Sequence, residues 1–150
     1  MGDNKELDDK VRKKLKEGWI KSSMFIEALS LTEKDAKEAL EQHIEKMKGE
    51  GNTIIYKIDF KGIQKVDKPL QGVDIGYSSI VELELITENF DKLIHLAMNY
   101  GPTNIEILEP SKLSLPAGEA QAIANTVADI IHTFARMRLG GIPIKNKEEH

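Results

Sequence analysis

A chain of 150 residues, 40% apolar and 31% charged, has the length for one self-supporting core and the composition of an ordinary globular protein, neither disordered nor membrane-embedded. It has no cysteine, which excludes disulfides, thiolate catalysis, iron–sulfur clusters and the common zinc sites together. The formal charge of −4 disfavours phosphate backbones and anionic membranes as partners.

Residues 4–17 predict a helix with Leu7, Val11 and Leu15 spaced by four on one face. The signs around that stripe are mixed, with six Lys or Arg and five Asp or Glu among the first 18 residues. The simplest reading is a solvated helix docked by its three apolar side chains; the others are a partner-binding arm and a nucleic-acid tail carried by Lys10, Arg12, Lys13, Lys14 and Lys16. The stretch has no apolar centre, so a signal peptide is not expected, and no apolar run approaches the roughly 18 residues that span a bilayer. A cytoplasmic location is the resulting expectation.

After Gly18, Ile20, Met24, Ile26 and Ala28 share one face of a strand, and Phe25 and Glu27 share the other. Thr32 is the expected N-cap of a helix that buries Ala36, Ala39, Leu40, Ile44 and Met47, with Asp35 at the capping-box position and Leu31 stapled against Ala36. Gly49 and Gly51 stop this helix, and His43 falls at the edge of its apolar stripe. A second strand near Thr53 to Phe60 turns Ile54, Tyr56, Ile58 and Phe60 inward and Lys57 and Asp59 outward. A third, from Ser79 to Ile86, turns Val81, Leu83 and Leu85 inward and Glu82 and Glu84 outward. The 18 residues between them contain Gly62, Pro69, Gly72 and Gly76 and read as a mobile loop, with Ile63 and Val66 extending the ladder part of the way and Gly62 at a bulge.

Thr87 or Asn89 caps the next helix, which buries Phe90, Leu93, Ile94 and Ala97, places His95 and Tyr100 at its surface and end, and stops at Gly101-Pro102. The last strand turns Ile105 and Ile107 inward and Glu106 outward before Pro110. A long helix from Pro116, with Ser114 as cap, to Leu139 carries Ala120, Ile123, Val127, Ile130, Ile131, Phe134 and Met137, widened by Ala124, Ala128 and Ala135. That arc is broader than docking on one surface needs. Ile123, Val127, Ile130, Ile131 and Phe134 are therefore the expected interface of a homo-oligomer, a dimer or higher.

The predicted organisation is a charged helix over 1–18, an α/β domain over 19–110, a helix packing on that domain or a second subunit over 111–139, and a flexible tail over 140–150. The strand-helix-strand-strand-helix-strand order resembles ferredoxin-like domains over residues 20–109, which implies an antiparallel sheet of order 4-1-3-2 with both helices on one face. Regulatory amino-acid-binding domains of the ACT type share the topology but carry a glycine-bearing turn after the first strand, where this chain has Ala28, Leu29, Ser30, Leu31 and Thr32. RNA-recognition domains share it too, but place aromatics on the open face of the central strands, where this chain has Phe25, Glu27, Glu82 and Glu84.

No phosphate-loop, dinucleotide, metalloprotease or nucleophile-elbow motif is present. His43, His95, His132 and His150 are scattered, so no catalytic set and no cofactor is assigned. The carboxylates Glu27, Glu82, Glu84 and Glu106 point the same way from neighbouring strands. Their repulsion is relieved by solvation, by basic partners such as Arg136 and Arg138, or by a Mg²⁺ or Ca²⁺ ion, for which they are the candidate ligands. The leading functional expectation is a small non-enzymatic protein that acts through homo-oligomerisation and protein association. The alternatives are an ACT-like domain binding a small molecule near Ala28 to Thr32, and a carboxylate-based metal-dependent enzyme.

Overall fold

The computed structural model describes the backbone of residues 2–139 and the side chains of 4–137. The expected tail over 140–150, His150 and the Arg138 side chain lie outside the described residues. The elements in chain order are α1 (Gly2–Lys16), β1 (Ile20–Ser30), α2 (Glu33–Lys48), β2 (Thr53–Leu70), β3 (Val73–Thr87), α3 (Phe90–Tyr100), β4 (Asn104–Glu109) and α4 (Ala117–Leu139). Residues up to Ser114 form one compact unit, and α4 belongs to a second that begins at Leu115.

The four strands make one antiparallel sheet in the order β2-β3-β1-β4, which is the expected 4-1-3-2 read from the other edge. Its centre is the β1–β3 pair, where Met24 stands opposite Leu83 and Ile26 opposite Val81. These four are buried together with Leu85, under Leu40, Ile44 and Met47 of α2 and Leu93 and Leu96 of α3. Burial of each such side chain contributes about 1.5 to 3 kcal/mol. Glu82 alternates out of that layer, as the period of two requires.

Both core helices begin on side-chain caps. Thr32 accepts from the Asp35 amide at 3.0 Å, and Asn89 accepts from the Lys92 amide at 2.8 Å. Gly101 closes α3 in the left-handed region at φ 56°. Some details of the stripes differ from expectation. Leu31 is exposed and does not staple, Ala39 is exposed, Leu96 is buried although the expected stripe does not include it, and Tyr100 at the helix end is buried as well.

Two expectations for β2 are corrected. Ile54 pairs with Ile86 and Ile55 with Leu85, but Lys57 is the residue that pairs with Glu84, so Tyr56 is an extra residue in a bulge. That residue inverts the alternation. Ile55, Ile58 and Phe60 face the helices, whereas Ile54 and Tyr56 face the opposite side. The second correction concerns residues 61–78, which are paired strand and not a loop. β2 and β3 continue as one long hairpin turning at Gln71-Gly72, with the expected irregularity at Gly62, where φ is 109°.

The far side of the sheet is covered at one end by α1. Lys21 and Tyr56 of the sheet and Val11 and Leu15 of α1 line a shared groove, Val11 is buried, and Ile86 on that face has no exposed surface. The remainder of this side, from Ser23 to Leu29 along β1, is the carboxylate-bearing face.

Within the hairpin, Gly76 is buried, and a Cβ there would stand 2.7 Å from Pro69 Cγ and 3.4 Å from the Ser30 carbonyl oxygen. The stiff pyrrolidine ring has little room to yield, so Gly76→Ala should destabilise the protein by about 1 to 3 kcal/mol in urea unfolding. Adding Pro69→Ala should recover most of that loss. No loss in the single variant, or no recovery in the double, would show that the ring does not rest on Gly76.

Candidate functional site

The register fixes what meets on the carboxylate-bearing face. One row across the sheet reads Glu106, Ser23, Glu84, Lys57; the next reads Asn104, Phe25, Glu82, Asp59. Glu27 stands opposite Ile80, beyond the second row. All four candidate carboxylates therefore point to one side, as expected, but they do not converge. Ser23 separates Glu106 from Glu84, and Phe25 lies between Ser23 and Glu27 on the same face.

Lysines from β2 stand against the central pair. Lys57 Nζ lies 3.6 Å from Glu84, and Lys61 Nζ lies 3.2 Å from Glu82 and 2.7 Å from Asp59. Lys61 holds the Asp59 carboxyl below its ordinary pKa, and Asp59 together with Glu82 raises that of the lysine. The Tyr56 hydroxyl donates to Glu84 at 3.0 Å, and burial followed by this bond raises the phenol above its ordinary value. The Ser78 hydroxyl donates to Glu27, and Glu106 is exposed on the edge strand. Among the described residues, no three His, Asp or Glu side chains are grouped so as to hold a metal ion. Lys57 was legible as an outward residue of β2, but Lys61 was not, because it falls in the stretch expected to be a loop, and the pairing of both with Glu84 and Glu82 depends on the register.

A second polar cluster joins the ends of α2 and α3. Glu50 accepts from the Tyr100 hydroxyl at 2.6 Å and from Lys92 Nζ at 2.6 Å, while His43 Nε2 lies 2.9 Å from the Tyr100 carbonyl oxygen. The His43 and Tyr100 rings meet edge to face at 5.1 Å. His43 is thus an edge-of-core residue with a structural partner. The Lys92 bond, then the Tyr100 bond, lower the Glu50 pKa, and burial followed by Glu50 pushes Tyr100 up to about 12. Nothing local marks this cluster in the sequence, because Glu50 follows α2 and lies 42 residues from Lys92 and 50 from Tyr100. His95 caps nothing comparable; its Nδ1 lies 2.9 Å from the Asp91 carbonyl oxygen within α3.

On α4, Ile123 and Ile130 are half-buried, and Val127, Ile131 and Phe134 are exposed. All five expected interface residues thus lie on a helix that is regular from Ala117 to Leu139.

Removing the Tyr100 hydroxyl should cost about 1 to 2 kcal/mol at neutral pH, since Tyr100 is buried and its acceptor is charged. A phenol whose folded pKa is raised stabilises the fold below its unfolded value near 10, and that contribution is lost as pH rises toward about 12. The stability difference between wild type and Tyr100→Phe should accordingly be constant from about pH 5 to about pH 10, shrink above it, and shrink again in acid as Glu50 protonates. A difference that persists unchanged to pH 12 would contradict the Glu50 bond.

No curated protein matches the chain. Residues 21–149, from β1 through α4, match the model of one protein family whose description names no activity. With most of its length matched, the chain belongs to the MJ0538 family.

Proposed function

We propose that the chain is a ferredoxin-like domain that works through self-association and protein contact, with α4 as the interface and the α4 of a second copy as its occupant. The element order from β1 to β4, with α2 and α3 on one side of the sheet, supports the ferredoxin-like reading. The observation that carries the association is the stripe on α4, where Val127 is 46%, Ile131 61%, Phe134 56% and Met137 68% exposed. Spacings of four, three and three keep these residues on one side of the helix. Ala120, Ala124, Ala128 and Ala135 flank them and are exposed as well, so a facing helix can approach closely, at roughly 8 Å between axes. A self-complementary stripe of this kind suits a two-fold pair, in which each helix supplies the same patch. Burying what is exposed of each large side chain contributes roughly 1 kcal/mol, and the pair doubles every contact.

The intramolecular lysine pairs of Glu82 and Glu84 weigh against a carboxylate-based enzyme, because they supply the positive charge that a metal ion would bring. A regulatory domain is the second reading. A cavity of about 390 Å³ lined by Glu33, Lys37, Phe60, Ile63 and Ser79 adjoins the turn from β1 into α2, where such a ligand is expected.

Sedimentation at micromolar concentration tests the association. The wild-type chain should sediment as a dimer or larger species, and Ile131→Asp or Phe134→Asp should shift it to a folded monomer. A monomeric wild type would overturn the reading.

A further inference from the structure

A groove of about 480 Å³ runs between α1 and the sheet, within the range of about 300 to 1,000 Å³ that small-molecule sites occupy. Its α1 wall is a single helical face, because Asp8, Val11, Arg12, Leu15 and Lys16 recur at spacings of three and four. Val11 and Leu15 make that wall apolar, and the Tyr56 ring faces it from β2. Three cations, Arg12, Lys16 and Lys21, stand around the groove against two carboxylates, Asp8 and Glu109. The local excess is positive in a chain whose formal charge is −4.

These cations differ in how they are engaged. Lys21 Nζ lies 3.5 Å from Glu109 and 5.9 Å from the centre of the Tyr56 ring, so it is committed to the sheet side. Arg12 meets Asp9 at 3.2 Å on the exposed surface of α1, a contact of little energetic weight, and Lys16 is exposed one turn further on. The Tyr56 hydroxyl is already given to Glu84, which leaves the ring face as its contribution to the groove. α1 lies ahead of the residues that match the family, whereas Lys21, Tyr56 and Glu109 lie within them.

We propose that this groove binds a small amphipathic anion, an apolar or aromatic body carrying a carboxylate or phosphate, with the body against Val11, Leu15 and the Tyr56 ring and the head toward Arg12 and Lys16. The guanidinium of Arg12 suits either head, since both offer paired oxygens to its fork of donors. A ligand held this way touches α1 and β2 together, so its binding strengthens the docking of α1 on the sheet.

The test is an amide-shift titration of the ¹⁵N-labelled full chain with phenylacetate and with phenyl phosphate, using benzyl alcohol as the neutral analogue. At least one anion should give saturable shifts confined to α1 and to the neighbourhood of Lys21 and Tyr56, and the one that saturates identifies the head group. Lys16→Glu should weaken that binding about tenfold, whereas Lys34→Glu, an exposed change of equal charge on α2, should leave it unaltered. Absence of a saturable shift with either anion would overturn the proposal. So would an equal response to benzyl alcohol, or equal weakening by Lys34→Glu.

Discussion

The antiparallel pairing of β1 with β3 is the constraint from which the rest follows. Eleven consecutive partners, from Ile20 opposite Thr87 to Ser30 opposite Tyr77, run without a register shift. A slip of one residue would turn Met24 and Ile26 out of the layer formed with Val81, Leu83 and Leu85 and would bring Phe25 and Glu27 into it. The resulting burial of a carboxylate among apolar side chains makes that alternative costly. With this pair fixed, β2 and β4 have one open edge each, and α2 and α3 have one apolar surface to cover.

The outer strands show why part of the fold was readable and part was not. Alternation in β1 and β3 is uninterrupted, so their faces follow directly from the residue pattern. β2 carries Ile54, Tyr56, Ile58 and Phe60 in a flawless alternation that is nonetheless misleading, because the bulge at Tyr56 breaks the geometric period without breaking the chemical one. The run Ile54-Ile55-Tyr56 is the trace of it, since three adjacent apolar residues cannot all serve one face. The hairpin of 61–78 was obscured by its glycines and proline, each of which has a place within a ladder: Gly62 at an irregularity, Gly72 in the turn at φ 83°, and Gly76 beneath Pro69. Composition alone does not separate such a hairpin from a loop.

Charge on the carboxylate-bearing face follows from the same register. Glu82 and Glu84 belong to β3, the strand next to β2, and β2 brings Lys57 and Lys61 alongside them. Exposed pairs of this kind add little to stability, so their effect is to balance the face and not to hold the fold. The long edge strand also gains from them, because lysines and bulges along β2 discourage pairing with another sheet. The direction of the candidate carboxylates was legible from the period of two, but their separation was not, because strand register and the position of Ser23 decide it. The Glu50, Lys92 and Tyr100 cluster left no trace in the sequence, and the groove beneath α1 depends on where that helix docks.

The face of α4 was readable because helical periodicity is local, and Val127, Ile131 and Phe134 fall where that periodicity put them. Its consequence is that association, and not the sheet, carries the function proposed for this chain. Hydrogen exchange measured at low-micromolar and at near-millimolar concentration tests that claim most directly. Amides of β1 and β3 should be strongly protected and indifferent to concentration, while protection from Val127 to Phe134 rises with it. Protection of α4 that is identical at both concentrations, in a chain that stays monomeric throughout, would contradict the account.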